Sequence, residues 1–126
     1  MLDLLSDVLK RARERGATAA DAFLVEDRAF SAQVRLGRVD TVKHAREQHL
    51  SLRVFSGKSA AAASTSDFSR TSVERLVDEA VSLSRITAPD EMSGLPEAGV
   101  LAREIPALDL DDPTGHDLSP EEKIEL

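Results

Sequence analysis

The hydrophobic residues of this chain change their spacing twice, and that change constrains its fold more than any other feature. Between residues 2 and 15, apolar side chains recur at the period of an amphipathic helix. Between residues 20 and 64 they mostly alternate with polar side chains, as in strands that have one wet face. The helical period returns over residues 69–86. The chain therefore predicts a helix, a run of strands and a second helix.

Turn and cap residues divide these segments into elements. Gly16 stands where the first helix needs a left-handed C-cap. Five strands are expected, with tight turns at Gly37-Arg38 and at Ser56–Lys58, over residues 20–25, 30–36, 39–46, 50–55 and 60–64. The alanine run of the last strand follows a turn and precedes a helix start, which favours a strand despite the helix propensity of alanine.

The second helix has two possible starts. Thr71–Glu74 fits a capping box, and Ser69 is an alternative N-cap. Its buried stripe is expected to consist of Val73, Leu76, Val77, Ala80 and either Leu83 or Ser84. The predicted fold class is α+β, a two-layer sandwich in which two helices cover an antiparallel sheet of about five strands.

The second half of the chain differs in composition from the first. Residues 1–63 carry 11 basic and 8 acidic side chains, whereas residues 64–126 carry 5 and 15, and all five prolines follow residue 86. We therefore expect an α+β domain over residues 1–86 and an extended, acidic, proline-containing linker over residues 87–118. Ser119–Glu122 has the signals of a helix start, so residues 119–126 are expected to begin a helix that is cut short in a piece of a longer protein.

Composition excludes several classes of function. The chain has no cysteine, which excludes disulfide frameworks, thiolate zinc sites and cysteine nucleophiles. Its net charge of -7 disfavours nucleic acids as partners, because affinity for phosphates comes mainly from Lys and Arg. No apolar run is long enough to cross a membrane, and the acidic start does not fit an export signal. A cytoplasmic location is expected.

The pair His44 and His49, with Glu47 between them, is the strongest candidate for a metal site. On a continuous strand an odd spacing sends the two imidazoles to opposite faces, and they could meet only if a turn lay at Arg46-Glu47. The third histidine, His116, lies in the tail. We therefore favour solvated histidines over a zinc site.

Other candidates have simpler explanations. The tail carboxylates lack the glycine and terminal glutamate of a calcium loop. The segment Ser64–Asp67 is interpreted as a strand exit leading to a helix cap, and Gly37 and Gly57 as turn glycines. The tail carboxylates are Asp109, Asp111, Asp112 and Asp117. A set of basic residues lies on or near the wet sheet face and could contact a partner or a peptide, although an ordinary solvated face is favoured. The set consists of Arg35, Arg38, Lys43, Arg46, Arg53 and Lys58. No residue is assigned as catalytic, cofactor-binding or metal-binding.

Six stretches, in the same order along the chain, resemble signature segments of the TldD/PmbA family. An older name of this family is modulator of DNA gyrase. The stretches fit the PmbA (TldE) branch of the family better than the TldD branch. These stretches are Val34–Val42, Leu50–Lys58, Ala63–Ser69, Ser93–Pro96, Asp109–Pro113 and Leu118–Leu126. The resemblance implies a cytoplasmic heterodimeric metalloprotease that processes peptides. A TldD-like catalytic subunit would hold zinc through a HExxxH motif, and the PmbA-like subunit would lack that motif.

On this resemblance the chain is the non-catalytic N-terminal domain of a PmbA-like subunit, with a TldD-like subunit and peptides or unfolded proteins as partners. An extended substrate is expected to lie along a sheet edge within residues 30–65, where its backbone would satisfy unpaired strand groups. His44 and His49 share the spacing of HExxxH, but Ala45 stands where the motif has glutamate, and the motif belongs to another domain. Two alternatives stay open. The chain could be the front domain of the catalytic TldD-like subunit, or a stand-alone interaction module. Sequence beyond Leu126 that does or does not contain HExxxH would discriminate the two subunits.

Overall fold

Two long helices and three strands account for most of the regular structure. The computed structural model describes residues 1–115 and 118–125. The elements are α1 (Leu2–Glu14), β1 (Ala19–Arg35), β2 (Arg38–Ser56), β3 (Ser59–Thr65), α2 (Arg70–Ile86), two short 3-10 helices (Ala98–Val100 and Pro113–Gly115) and α3 (Pro120–Glu125). Within the described residues the strands form one sheet in the order β1-β2-β3. The prediction of an α+β fold with an antiparallel sheet is confirmed.

The sheet has three strands, so the expectation of about five is wrong. β1 runs through the first two predicted strands and β2 through the next two. The polar stretches at residues 26–28 and 46–49 interrupt the apolar alternation, yet they contain no glycine or proline that would end a strand. Residues 38–47 are all exposed, and a segment exposed on both faces needs no apolar residues to stay in the sheet. Alternation therefore carries no information there.

The turn between β1 and β2 lies one residue earlier than expected. Leu36 and Gly37 are its two central residues, with φ of 52° and 72°. Two successive positive φ values indicate a type I′ turn, which matches the twist of the flanking strands. The prediction of Gly37-Arg38 is wrong because Leu36 continues the apolar alternation of β1, while its side chain is 94% exposed at the turn.

The chain divides into two compact units. The first unit consists of Met1–Glu26 and Glu47–Glu97, and the second of Asp27–Arg46 and Ala98–Leu126. The first unit contains α1, α2, β3, residues 19–26 of β1 and residues 47–56 of β2. The predicted boundaries at residues 86 and 118 stay a prediction.

The hydrophobic core of the first unit lies between the two helices and one face of the sheet. Leu50, Leu52 and Val54 are fully buried and alternate along β2, as a strand with one covered face requires. Opposite them, Ala63 and Ala61 of β3 pair with Leu52 and Val54. Helix α2 packs on these small side chains, which allow close approach. The helices contribute Val8, Ala12, Val73, Leu76, Val77, Ala80 and Val81.

Helix α2 confirms most of its predicted stripe. Ser84 is buried, whereas Leu83 is 39% exposed, so Ser84 is the correct choice between the two. Its hydroxyl donates to the carbonyl of Val81 at 2.8 Å and bonds Ser56 Oγ at 2.7 Å. The buried hydroxyl is therefore satisfied and costs little desolvation free energy.

The C-terminal end of α1 is built as its sequence predicts. Gly16 has φ of 98°, its N–H donates to the carbonyl of Arg13, and the next N–H, from Ala17, donates to the carbonyl of Ala12. This pair of bonds is the Schellman motif, in which a left-handed residue satisfies the last carbonyls of a helix. Ion pairs of Arg11 with Glu74 at 2.9 Å and of Arg15 with Asp78 join α1 to α2.

The tail contains one well-capped short helix. Ser119 N–H donates to Glu122 Oε2 at 2.7 Å, and Glu122 N–H donates to Ser119 Oγ at 3.2 Å. This reciprocal capping box is the predicted one, and α3 starts at Pro120 as expected. The bond from the Ser119 N–H, with the side chain of Ser119, lowers the pKa of the Glu122 carboxyl. Leu126 lies outside the described residues.

Candidate functional site

The outer edge of β3 has no strand partner within the described chain, because β3 is the last strand of the sheet. Its seven residues pair with β2 along their whole length, from Ser59 opposite Ser56 to Thr65 opposite Leu50. They include no charged side chain and no proline. Natural proteins usually protect an edge strand with charge, proline or a covering element, since its free N–H and C=O groups can pair with another chain. The β3 edge is therefore competent to accept an added strand.

A shallow pocket lies on the outer face, which we define as the face of β1–β3 in the first unit that points away from the two helices. Its volume is about 380 Å³. Phe23 of β1 is 58% exposed and Ala62 of β3 is also exposed, and both line the pocket. The lining residues are Asp21, Phe23, Ser51, Leu52, Arg53 and Ala62.

The rim of this pocket carries a bidentate ion pair. Arg53 donates from Nε to Asp21 Oδ1 at 2.8 Å and from Nη2 to Asp21 Oδ2 at 2.7 Å. The bond to Asp21 raises the pKa of the Arg53 guanidinium above its ordinary value. The guanidinium also lies 5.2 Å from the ring centroid of Phe55. Both charges are paired and the fork is fixed, so the pair ties β1 to β2 and gives the pocket a rigid polar wall.

A cap network fixes the end of β3. The Asp67 carboxylate accepts from Ser72 Oγ at 2.6 Å, from Ser69 N at 2.9 Å and from Ser69 Oγ at 3.0 Å. These bonds lower the pKa of the Asp67 carboxyl below its ordinary value, and the bond from the Ser72 hydroxyl contributes most. Ser69 is the N-cap of α2 and accepts from Ser72 N at 3.4 Å, so the capping box at Thr71–Glu74 is wrong and the Ser69 alternative is correct. The segment from Ser64 to Asp67 thus serves as strand exit and helix cap.

The first unit combines a free strand edge with an adjacent pocket and paired charges. This arrangement suits recognition of an extended peptide, whose backbone would pair with the edge while a side chain enters the pocket.

The two histidines of the candidate metal site lie on one uninterrupted strand. β2 continues through residues 44–49 without a turn at Arg46-Glu47, and both His44 and His49 are exposed. Their odd spacing therefore places them on opposite faces. Within residues 1–115 and 118–125, no group of three or more His, Asp or Glu side chains is placed to hold a metal ion. His116 lies outside the described residues.

Among the tail carboxylates that the structure describes, Asp112 forms a local turn. Asp112 Oδ1 accepts from the N–H of Thr114 at 3.0 Å and from its hydroxyl at 2.6 Å, as in an Asx turn. Asp109 has φ of 50° and is exposed. Asp111 is exposed as well, and Asp117 lies outside the described residues. Gly37 and Gly57 both have positive φ in tight turns, with no phosphate loop around them.

The basic set separates into different environments. Arg53 is paired with Asp21, and Lys58 Nζ donates to the carbonyl of Ser93 at 3.3 Å. Arg35 and Arg38 flank the β1–β2 turn. Lys43 and Arg46 are exposed on β2. The suggestion that this set contacts a partner stays a prediction.

Sequence reasoning missed the outer-face pocket and the Asp21–Arg53 pair. Both residues sit at wet positions of strands, where any polar residue is acceptable, and the chain offers no local signal that two positions 32 apart will meet. Asp21 lies on the first predicted strand and Arg53 on the fourth, so the prediction of five strands did not place these opposite charges side by side. Among the described residues, no helix has both the length and the apolar character to cross a membrane.

A family model described as PmbA/TldA metallopeptidase domain 1 matches residues 20–84, just over half of the chain. The match includes all of β2 and β3 and most of α2. It therefore covers the free edge, the outer-face pocket and the Asp67 cap.

Curated relatives of the chain include two proteins from bacteria. Metalloprotease PmbA of Escherichia coli O157:H7 is 31% identical over 107 residues, which is 85% of this chain and 23% of the relative. The Metalloprotease PmbA homolog of Haemophilus influenzae is 28% identical over 106 residues, 84% of this chain and 23% of the relative. The chain thus spans about a quarter of the length of these relatives.

Solved structures share the fold. A protein from Bacteroides thetaiotaomicron, described as a candidate modulator of DNA gyrase, superposes with a TM-score of 0.88 at 25% identity, over 98% of this chain and 28% of the other. TldE from Thermococcus kodakarensis superposes with a TM-score of 0.74 at 18% identity, over 94% of this chain and 26% of the other. At 18% identity the second likeness shows the fold alone.

Proposed function

The chain belongs to the TldD/PmbA family as an N-terminal domain of a PmbA/TldE-like protein, and from that premise we propose that its role is binding rather than catalysis. The curated relatives are named as metalloproteases, and this domain matches about a quarter of their length. The remaining three quarters leave room for the catalytic machinery elsewhere. In this proposal the domain positions a peptide for cleavage by another part of the assembly.

The proposed partner is a TldD-like catalytic subunit that holds zinc. His44 and His49 do not fit a zinc site, since they occupy opposite faces of one strand and no third ligand joins them among the described residues. We therefore assign no step of hydrolysis to residues of this chain. Zinc would polarise the scissile carbonyl and activate water in the partner subunit.

The proposed substrate is an unfolded protein or peptide, and the free β3 edge is the observation that carries this proposal. An extended backbone can satisfy the unpaired N–H and C=O groups of the edge without any sequence requirement. The outer-face pocket beside it, with Phe23 and Ala62, would add a preference for an apolar side chain. We place this activity in the cytoplasm, as the family resemblance implies.

Hydrogen–deuterium exchange of the full-length two-subunit complex tests the proposal. The complex, with zinc removed so that no cleavage occurs, is compared with and without β-casein as an unfolded substrate. Amides of residues 59–65 are expected to exchange more slowly when the substrate is present, because half of them gain a backbone partner. Helix α1 serves as the internal control. Its amides are bonded within the helix and it is not part of the β3 edge.

Two outcomes would count against the proposal. Protection of α1 and β3 to the same degree would indicate general stabilisation rather than strand addition. Unchanged exchange at residues 59–65, under conditions where the substrate is shown to be bound, would remove the β3 edge from the account.

A further inference from the structure

The second unit contains a pocket that the proposed function does not use. Its volume is about 700 Å³. Within the described residues, it is lined by parts of β1 and β2 in that unit, by the 3-10 helix at residues 113–115 and by residues 118–123. Its described lining consists of Arg28, Ala29, Phe30, His44, Gly115, Leu118, Pro120 and Lys123.

The lining combines cationic and apolar side chains. Three of its residues can carry positive charge, and none of the described lining residues is an acid, although the chain as a whole has 23 acidic and 16 basic side chains. Phe30, Leu118 and Pro120 supply the apolar surface. A ligand that complements this wall needs an anionic group on an apolar body.

One aromatic ring organises the cationic groups. Lys123 Nζ lies 5.7 Å from the centroid of the Phe30 ring, and the His44 ring meets the same ring edge-on, with centroids 6.4 Å apart and planes at 75°. A ring face attracts an ammonium group but accepts no strong hydrogen bond, so the three N–H donors of Lys123 stay available. In the described part of the chain no carboxylate lies within ion-pair distance of Lys123. Among the described residues the Lys123 ammonium thus has an aromatic neighbour and no carboxylate partner.

We propose that this pocket binds the carboxylate of a peptide, with Lys123 as the charged anchor, Phe30 as its support and the apolar wall for the adjoining side chain. The proposal deepens the proposed function by naming a ligand class, and it rests on that function only for peptides as the source. Because the chain carries net charge -7, general attraction of anions is weak, and recognition must come from this local arrangement.

The test is a titration of the ¹⁵N-labelled 126-residue chain with matched peptides. Binding is measured from the amide chemical-shift changes in NMR spectra of the second unit. One arm compares acetyl-Ala-Leu-Glu-Leu-Ala-amide with its Gln counterpart, for a side-chain carboxylate. The other compares acetyl-Ala-Leu-Ala as free acid and as amide, for a terminal carboxylate. In at least one arm the charged peptide is expected to bind about tenfold or more tightly than its neutral match, as loss of a hydrogen bond to a charged group implies.

Variants of the chain make the assignment specific. Lys123→Gln is expected to weaken binding of the charged peptide about tenfold. Phe30→Leu, which keeps an apolar side chain but removes the ring, is expected to weaken it in the same direction. Lys43→Gln removes the same charge from an exposed neighbour of His44 that does not line the pocket, and it should leave the affinity unchanged. Unperturbed spectra outside the second unit confirm that each variant is folded.

The inference is overturned if neutral and charged peptides bind equally, if Lys123→Gln has no larger effect than Lys43→Gln, or if inorganic phosphate binds as tightly as the peptides. These results are separate from those for the β3 edge, because the titration needs neither the partner subunit nor cleavage. Protection of residues 59–65 together with a failed titration would remove this inference alone.

Discussion

Individual residues with unusual backbone conformations are the most sharply testable features of the chain. Leu36 occupies the left-handed region at φ of 52°, where an L-residue with a large side chain is strained, and its side chain is 94% exposed. Leu36→Asn is therefore expected to stabilise the chain by about 1 kcal/mol, since asparagine tolerates this conformation. Urea denaturation of the 126-residue chain would measure the change.

A second exposed hydrophobic residue provides the control for this prediction. Val39 is 48% exposed in the adjoining strand, where its φ is not in the left-handed region. Val39→Asn removes a similar apolar surface but lowers strand propensity, so it should not stabilise the chain. Equal stabilisation by both substitutions would attribute the effect to lost surface hydrophobicity and not to the backbone of Leu36.

Gly16 is required by both conformation and space. Its φ is 98°, and a Cβ at this position would lie 3.0 Å from Arg85 Nη2, which donates to the carbonyl of Arg15 at 2.6 Å. Gly16→Ala should destabilise the chain by about 1–2 kcal/mol, because it strains the backbone and disturbs that bond. Gly94→Ala, at a glycine without positive φ and with open space around it, should be nearly neutral. Similar thermal midpoints for the two variants would contradict this account.

At the scale of elements, the cap of α2 links stability to pH. The hydroxyl of Ser72 and the groups of Ser69 lower the pKa of Asp67 in the folded chain. Folding therefore gains stability above the ordinary Asp pKa, and this gain is lost as pH falls through the lowered folded value. Asp67→Asn should reduce the urea midpoint at pH 7, and the difference from the unmodified chain should shrink towards about pH 2.

A charge-matched variant separates the cap from general electrostatics. Glu91→Gln removes one negative charge from an exposed position in the tail, so its urea midpoint should follow that of the unmodified chain at both pH values. A difference between Asp67→Asn and the unmodified chain that stays constant with pH would show that the Asp67 carboxylate does not stabilise α2 through its charge.

Element types were easier to predict from sequence than element lengths. Helices α1 and α2 follow from amphipathic period and cap residues, and the alanine strand β3 follows from the turn before it and the cap after it. The two long strands were divided in prediction because residues 26–28 and 46–49 break the alternation. The periodicity of hydrophobic residues identifies a strand only where one of its faces is buried. It therefore gives no signal along the part of β2 where both faces are exposed. The capping box of α3 was predictable because all its partners lie within four residues.

At the scale of the whole molecule, peptide binding along a sheet edge could be proposed from the strand-rich sequence, but the particular edge and the pockets depend on tertiary placement. The β3 edge is exposed only because no further strand joins the sheet within the described chain, and Phe30, His44 and Lys123 meet from segments far apart in sequence. Family membership, by contrast, followed from the ordered segments alone, because it depends on residue identity and spacing and not on geometry. The spacing of His44 and His49 shows the limit of such patterns, since a helical metal motif has no meaning on a continuous strand.

The central claim is that this domain contributes binding and not zinc chemistry, and a calorimetric zinc titration of the purified 126-residue chain tests it most directly. The account predicts no stoichiometric zinc binding, since His44 and His49 lie on opposite faces of β2. Tight binding of one zinc ion per chain that disappears in both His44→Ala and His49→Ala would contradict it.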